Sequence, residues 1–248
     1  MLVTCSGRAA PIDLRYAVRA TCALCLATAS CFTTNTYLIP DTVPPGQVTL
    51  TPAVEGWVVH RKYEVSGQPF PERRVGSVGY AFFPHMMVRT GVAPRVDVGL
   101  DFGFGSPLRG DLKVQLLEGD IGVAVAGVAR YFPTPQPEPP ATGNGGAASF
   151  EVPVIVAARI TRDVRVVASP GFVAIVGRDP ILPTSFGRDE ALTKANYLQM
   201  AFGPVFDFNP RFSLFPEVTY MRSITGPATD WFTLGLGFVI SPKRQMNP

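Results

Sequence analysis

The sequence predicts an all-β protein, a single antiparallel transmembrane β-barrel of about ten strands. Apolar side chains alternate with small or polar ones along residues 196–241, and a period of two marks strands with one apolar and one polar face. Hydrophobic residues make up 46% of the 248 residues and charged residues only 17%, against roughly 25% in soluble domains. Short and long connections also alternate along the chain, as they do in membrane-spanning barrels.

Strands rather than helices are expected to cross the membrane. After residue 31, the longest apolar runs are 121–129 and 152–158, far below the ~18 residues that a membrane-spanning helix needs. Hydrophobicity that is high but spread in alternation favours a barrel over a helical bundle.

The first 31 residues have a different composition from the rest. Arg8, Arg15 and Arg19 precede an apolar segment, 20–29, which resembles a secretory signal peptide at 1–31; the alternative is a buried helix. All the cysteines of the chain lie in this stretch: Cys5, Cys22, Cys25 and Cys31. The remaining chain can therefore form no internal disulfide.

Residues 26–31 (LATASC) resemble the bacterial lipoprotein box, in which small residues precede an acylated cysteine. Thr28 departs from the pattern, which prefers Leu, Val or Ile there. The resemblance implies that Cys31 becomes the mature N-terminus and carries lipid. The alternative is ordinary cleavage near Ala29, which would leave Cys31 as a free thiol.

The barrel is predicted to occupy 48–241, between a Pro-rich periplasmic tether at 32–47 and a polar tail at 242–248. Its candidate strands, taken in order and bounded by turn residues, are 48–59, 80–92, 95–105, 109–117, 120–132, 148–160, 163–176, 195–207, 210–222 and 230–241. Eight strands is the alternative count, should 48–59 or 109–117 be irregular.

The connections predict how the barrel is oriented. The tight ones are Ala93-Pro94-Arg95, Glu118-Gly119, Thr161-Arg162 and Phe208-Asn209; the longer ones are 60–79, 106–108, 133–147, 177–194 and 223–229. Outer-membrane barrels place short turns in the periplasm and long loops outside. Ten strands with a long first connection therefore put both ends of the barrel on the periplasmic side.

Two segments resemble bacterial outer-membrane β-barrel proteins. Residues 88–117 (VRTGVAPRVDVGLDFGFGSPLRGDLKVQLL) are similar to their hairpins, and 232–240 (FTLGLGFVI) to their closing strand. The resemblance spans about 48–241 and implies a location in the bacterial cell outer membrane, with outer-membrane lipid and the barrel-assembly machinery as partners. It implies no activity, because this architecture hosts many unrelated functions.

The inward face of the predicted strands carries charges that can neutralise one another. Arg89, Asp97, Asp101 and Lys113 fall on the odd, inward face of neighbouring strands, and we expect them to form an ionic network in the lumen. An eight-stranded barrel is just filled by side chains, so ten strands lie near the filled end. The alternative is that these residues form a binding or conduction site.

The sequence assigns no catalytic, cofactor-binding or metal-ligating residue and no cofactor. His60 and His85 are the only histidines, which excludes a His-cluster metal site, and neither a phosphate loop nor a dinucleotide-binding motif is present. A Ser–His–Asp arrangement at the outer rim remains conceivable. It would draw on these histidines and on Ser77 and Ser106. For a peptidase that uses Asp and His at the outer rim, Asp179, Asp189 and Asp230 could supply carboxylates.

We expect a structural or surface-interaction role, with the lumen mostly filled by side chains and loops 133–147 and 177–194 contacting an unknown extracellular partner. A narrow passive channel is the alternative, followed by an outer-rim lipid or peptide hydrolase. Nucleic acid is not an expected partner, because residues 32–248 hold 19 basic and 18 acidic residues without a basic stripe.

Overall fold

The computed structural model describes residues 35–65, 72–103, 108–133, 146–177, 193–225 and 229–241, and ten antiparallel strands within them close into one barrel. The strands are β1 (Val48–Val65), β2 (Glu72–Ala93), β3 (Val96–Gly103), β4 (Leu108–Leu117), β5 (Ile121–Pro133), β6 (Gly146–Arg159), β7 (Val164–Gly177), β8 (Thr193–Asn209), β9 (Phe212–Thr225) and β10 (Thr229–Ile240). The predicted all-β barrel is confirmed, with ten strands rather than eight.

Each strand pairs with its neighbours in the chain, and β1 closes the barrel on β10 from Leu50↔Ile240 to Arg61↔Thr229. Tight turns at 94–95, 118–120, 160–163 and 210–211 lie at one end of the barrel, the short-turn end, where β1 begins and β10 finishes. Closure satisfies the backbone hydrogen bonds that an open sheet edge would expose to lipid.

The strands of the first hairpin, β1 and β2, are longer than the sequence predicts. Pairing between β1 and β2 continues to Val65↔Glu72, so the predicted long connection at 60–79 is wrong and only 66–71 separates the two strands. Apolar alternation marks the part of a strand that contacts lipid, and about 9–11 residues suffice to cross the bilayer. A strand that continues beyond the membrane loses that signal while it keeps its backbone pairing.

The outer surface of the barrel is apolar over most of its height. The predicted alternation in 196–241 is confirmed, because even-numbered side chains face outward and odd-numbered ones inward. Large apolar side chains exposed around the barrel include Leu50, Leu100, Leu112, Phe150, Val154, Phe172, Leu198, Phe202, Phe232 and Leu234. Such a patch would be untenable in water, and it confirms the expected location in the bacterial outer membrane.

Residues 35–43, which are predicted to belong to a periplasmic tether at 32–47, lie inside the barrel instead. Asn35, Thr36 and Leu38 have 1% or less of their surface exposed. The chain leaves the lumen at the short-turn end, where Pro45 bridges Gly91 before β1 begins. Burial of the apolar triplet Tyr37–Ile39 favours this placement over exposure to water. We call residues 35–43 the lumen segment.

Several predictions concern residues outside those that the structure describes. They are the signal peptide at 1–31 with Cys31, the tail at 242–248, and the central parts of loops 133–147 and 177–194. Within the described ranges, no helix is long and apolar enough to span a membrane.

Candidate functional site

The lumen has a charged wall and an apolar wall. Buried charged side chains line β2–β6: Arg89, Asp97, Asp101, Arg109, Asp111, Lys113, Arg130 and Glu151. Apolar side chains, many of them small, line β5–β9: Ala124, Ala126, Val128, Ile155, Ala157, Val167, Val205 and Phe215. The lumen segment lies against both walls, so the barrel interior is a candidate functional site that its own chain occupies.

The structure buries all four residues of the predicted ionic network in the lumen. Asp97 joins two of them, because it accepts a hydrogen bond from Arg89 and lies 3.2 Å from Lys113 Nζ. Asp101 contacts other partners: its Oδ1 lies 2.8 Å from His85 Nδ1, and its Oδ2 lies 4.0 Å from Arg109. Strand register explains this division, since Asp97 is opposite Lys113 and Asp101 is opposite Arg109.

The network also contains four residues that are not among those predicted for it: Arg109, Asp111, Arg130 and Glu151. Arg109 Nη2 lies 3.3 Å from Asp111, which also pairs with Arg89. Arg130 pairs with Glu151 on the next strand. Period-two alternation along 109–117 and 121–133 carried the signal for the β4 and β5 residues. Which carboxylate serves which cation depends on register, and composition alone does not reveal it.

Glu217 on β9 holds the deep end of the lumen segment. Its carboxylate accepts hydrogen bonds from the backbone N–H of Thr36, at 2.6 Å, and of Tyr37, at 2.8 Å. Thr219 Oγ1 donates a third hydrogen bond at 3.2 Å. Among the residues that the structure describes, no cation forms an ion pair with Glu217, so the segment's amides are its main counterpart.

The charged wall binds the carbonyl groups of the lumen segment. Arg109 Nη1 donates to the carbonyls of Asn35, at 3.4 Å, and Thr36, at 3.1 Å. Lys113 Nζ donates to the carbonyls of Ile39, at 2.8 Å, and Asp41, at 2.6 Å. The barrel thus holds the segment chiefly through hydrogen bonds from wall side chains to the segment's main-chain atoms.

The apolar side chains of the segment pack on the other wall. Tyr37, Leu38 and Ile39 belong to one buried cluster with the alanines and valines of β5–β8. The Tyr37 ring lies 6.0 Å from the Phe215 ring, edge to face, and 5.6 Å from the His85 ring. Its hydroxyl donates to the Val54 carbonyl at 3.4 Å. The segment therefore presents main-chain polar groups to the charged wall and apolar side chains to the apolar wall.

Glycines make room for the segment in the barrel wall. A Cβ at Gly235 would clash with the Tyr37 hydroxyl and Asn35, and a Cβ at Gly91 would clash with the Val43 carbonyl. A Cβ at Gly122 would come within 3.1 Å of Pro40. Glycine at these inward positions allows the close backbone approach that any side chain would prevent.

Polar side chains hold the segment at the short-turn end. Asp41 pairs with Arg165, which also donates two hydrogen bonds of 3.0 Å to Asp207. Thr42 Oγ1 donates to Gln115 at 3.0 Å, and Asp97 accepts from the Val43 N–H at 3.0 Å. The segment is fixed at both of its ends.

The residues considered for an outer-rim hydrolase are distributed between two places. His85 is buried in the lumen against Asp101. His60 on β1 is directly opposite Ser77 on β2 and Asp230 on β10 in the strand register. Ser106, Asp179 and Asp189 lie outside the described residues. In the described part of the chain, no group of three or more His, Cys, Asp or Glu residues could hold a metal ion.

No family model matches the sequence, and no curated protein sequence matches it. Among solved structures, the outer-membrane protease OmpT of Escherichia coli is similar over 82% of this chain and 100% of its own, at 10% identity and a TM-score of 0.45. An outer-membrane channel of Pseudomonas putida is similar over 85% and 100%, at 10% identity and a TM-score of 0.46. The attachment invasion locus protein Ail of Yersinia pestis is similar over 79% and 100%, at 14% identity and a TM-score of 0.30.

Proposed function

We propose that the protein is a closed outer-membrane barrel with a structural or surface-interaction role. The observation that carries the proposal is the occupied lumen: the segment 35–43 is buried between the walls, and the surrounding charges pair with one another. An open channel needs a continuous path for water and solute along the barrel axis. Main-chain hydrogen bonds to Glu217, Arg109 and Lys113 hold the segment in that path.

The proposed interaction surface is the end of the barrel opposite the short turns. The connections between β5 and β6, and between β7 and β8, are the longest stretches between strands, and long exposed connections on a rigid scaffold are where binding residues concentrate. The first hairpin adds a tall ribbon at the same end. We expect an extracellular partner to contact this end.

Planar-bilayer recording of the purified full chain tests the closed state. We expect no steady, resolvable conductance, because the segment lies in the lumen and its main-chain hydrogen bonds hold it there. Heat-dependent gel mobility of the same preparation is the control that the barrel is folded. Steady single-channel currents from folded, pure protein would overturn the proposal in favour of an open channel.

A second candidate function is supported by the register across β2, β1 and β10. The backbone register pairs His60 with Ser77 on one side and with Asp230 on the other. Serine, histidine and aspartate are the nucleophile, general base and orienting carboxylate of acyl-transfer catalysis. Phe232, two residues after Asp230 on β10, is exposed on the apolar exterior, so an acyl ester of membrane lipid is the substrate class that we propose.

Hydrolysis of fluorescent phospholipid in vesicles containing the protein tests this second candidate. Ser77→Ala and His60→Ala should each abolish any activity, and Asp230→Asn should lower it, because the histidine would lose its orienting charge. Asp163→Asn, an exposed carboxylate at the short-turn end, is the matched control and should change nothing. Full activity of the His60→Ala protein would remove this candidate.

A further inference from the structure

We propose that residues 35–43 are a built-in stopper of a cation-preferring path through the barrel, and that the barrel without them conducts small cations. This inference rests on the closed state proposed above and adds an activity that the intact chain withholds. Four features of the described residues support it: a wall that pairs its own charges, a grip made of main-chain hydrogen bonds, a wall recessed around the segment, and one carboxylate that depends on the segment.

The charged side chains of the wall form ion pairs with one another and do not need the segment for them. Arg89 bridges Asp97 and Asp111, and Arg130 pairs with Glu151. None of these contacts passes through residues 35–43, and the segment forms no strand with the wall. Removal of the segment therefore leaves both the backbone ladders and most of the buried ion pairs in place.

The grip on the segment consists of hydrogen bonds that water can replace. Arg109 and Lys113 donate to its carbonyls, and Glu217 accepts from its amides. After removal these three side chains would line the vacated lumen. A roomy site with several polar partners holds water rather than staying empty, so we expect the vacated half of the lumen to be hydrated.

The wall around the segment is recessed and cannot close over the space. Gly235 and Gly237 face the Tyr37 ring, and Ala124 and Ala126 are among the side chains packed with the segment. Strand pairing on both sides fixes the backbone of these residues. These glycines and alanines are too small to fill the volume that the nine residues of the segment occupy.

Glu217 gives the vacated path its charge preference. Its hydrogen-bond donors are the N–H groups of Thr36 and Tyr37 and the hydroxyls of Thr36 and Thr219. With the segment absent, Arg109 and Lys113 would keep their wall carboxylates, Asp111 at 3.3 Å and Asp97 at 3.2 Å. Glu217 has no ion-pair partner among the described residues, so its charge would face the lumen unneutralised. Carboxylate side chains that line a pore favour cations over anions.

Deletion of residues 35–43 tests the inference in planar bilayers. We expect steady single-channel currents that the full chain lacks, and a reversal potential in a KCl gradient that shows cation preference. Adding Glu217→Gln to the deletion should keep the conductance and lose much of the preference. Glu118→Gln, the same change at an exposed turn residue, is the matched control and should leave the preference intact.

If the deletion protein shows no heat-dependent gel mobility, it has not folded, and a second variant then tests the inference. Gly235→Val in the full chain places a side chain where Tyr37 and Asn35 lie, and we expect intermittent openings from it. Gly127→Val is its control, because a Cβ at Gly127 meets nothing within 4 Å. This control should stay closed like the full chain.

Each outcome separates the two proposals. A folded deletion protein that stays closed overturns the stopper and leaves the closed-barrel proposal standing, as does a folded Gly235→Val protein without openings. A full chain that conducts overturns the closed-barrel proposal itself. Block of the deleted barrel by a synthetic peptide of residues 33–45, and none by a peptide of 242–248, would further support the stopper.

Discussion

Buried charges in this barrel are paired across neighbouring strands, and each pair depends on register. Asp101 is the main carboxylate partner of His85, with Nδ1 at 2.8 Å, while Glu55 lies farther away at 3.8 Å. Arg130 is opposite Arg109 on one side and pairs with Glu151 on the other. Removal of one member therefore leaves a buried group that has lost its partner.

Asp101→Ala should lower the stability of the barrel. His85 would lose its hydrogen bond and Arg109 a nearby carboxylate, and breaking a buried pair costs about 3–5 kcal/mol. Urea unfolding in lipid vesicles measures the change as a lower midpoint. Leu100→Ala, at a lipid-facing position that is 58% exposed, is the comparison and should cost less. An unchanged midpoint for Asp101→Ala would mean that this residue faces water.

Glu151→Leu should destabilise more than the double change Arg130→Met with Glu151→Leu. The single change leaves Arg130 buried opposite Arg109 without its carboxylate, at a cost of about 3–5 kcal/mol. The double change replaces the pair by apolar side chains, which is often neutral or stabilising. The same urea titration compares the two proteins, and equal midpoints would contradict the pairing.

At the scale of elements, the lumen segment differs from every strand around it. Pro40 within it and Pro44 and Pro45 directly after it lack the N–H that a strand ladder requires, which disfavours incorporation of this stretch into the sheet. Tyr37, Leu38 and Ile39 nevertheless need burial. A non-strand segment inside the barrel satisfies both demands, because the wall supplies side-chain donors and acceptors for its backbone.

Gly91→Ala should loosen the exit of the lumen segment. A methyl group there would meet the Val43 carbonyl and Pro44, and overpacking of this kind costs typically about 1–3 kcal/mol. The temperature at which heat-modified gel mobility appears should fall. Gly110→Ala is the control, since its Cβ would lie no closer than 3.8 Å to Leu100. Identical temperatures for both variants would mean that the segment does not pack against β2.

At the scale of the whole molecule, the closed barrel and its apolar outer surface make the protein stable in a membrane rather than in water. Exposed Leu198 and Phe202 on β8 and exposed Leu234 on β10 belong to a surface that water would not tolerate. Aromatic rings lie towards both ends of this surface, with Phe208, Phe212 and Phe238 stacked near the short turns and exposed Tyr131 near the other end. Aromatic girdles at the two interfaces are typical of membrane barrels.

The protein should require detergent for extraction from the outer-membrane fraction and should migrate differently on gels before and after boiling. Both behaviours follow from a closed hydrogen-bonded barrel with an apolar exterior. Cell fractionation with and without detergent is the measurement. Recovery of the protein from the soluble periplasmic fraction without detergent would contradict the membrane location.

Lipid on Cys31 stays a prediction, because this residue lies outside the described part of the chain. Intact mass spectrometry of the purified protein should show a mature chain that begins at Cys31 with added acyl mass. Cys31→Ala should abolish both the cleavage and the added mass. Unchanged processing and mass in that variant would remove the prediction.

The sequence by itself determined the class of fold, the number of strands and the two faces of the barrel. Period-two alternation indicates directly which side chains contact lipid, and Leu198 and Phe232, which lie on the apolar face of this pattern, are exposed on the outside of the barrel. The inward positions of Arg89, Asp97, Asp101 and Lys113 followed from the same alternation.

Only the tertiary structure decided the partners in the lumen and the place of residues 35–43. Pairing depends on strand register and barrel closure, which bring Glu217 on β9 to the amides of Thr36 and Tyr37, 181 and 180 residues away in the chain. The apolar triplet Tyr37–Ile39 favours burial, but a Pro-rich segment without periodicity does not indicate where in the fold it is buried. Its position results from the space that glycines and small side chains leave inside a closed ring of strands.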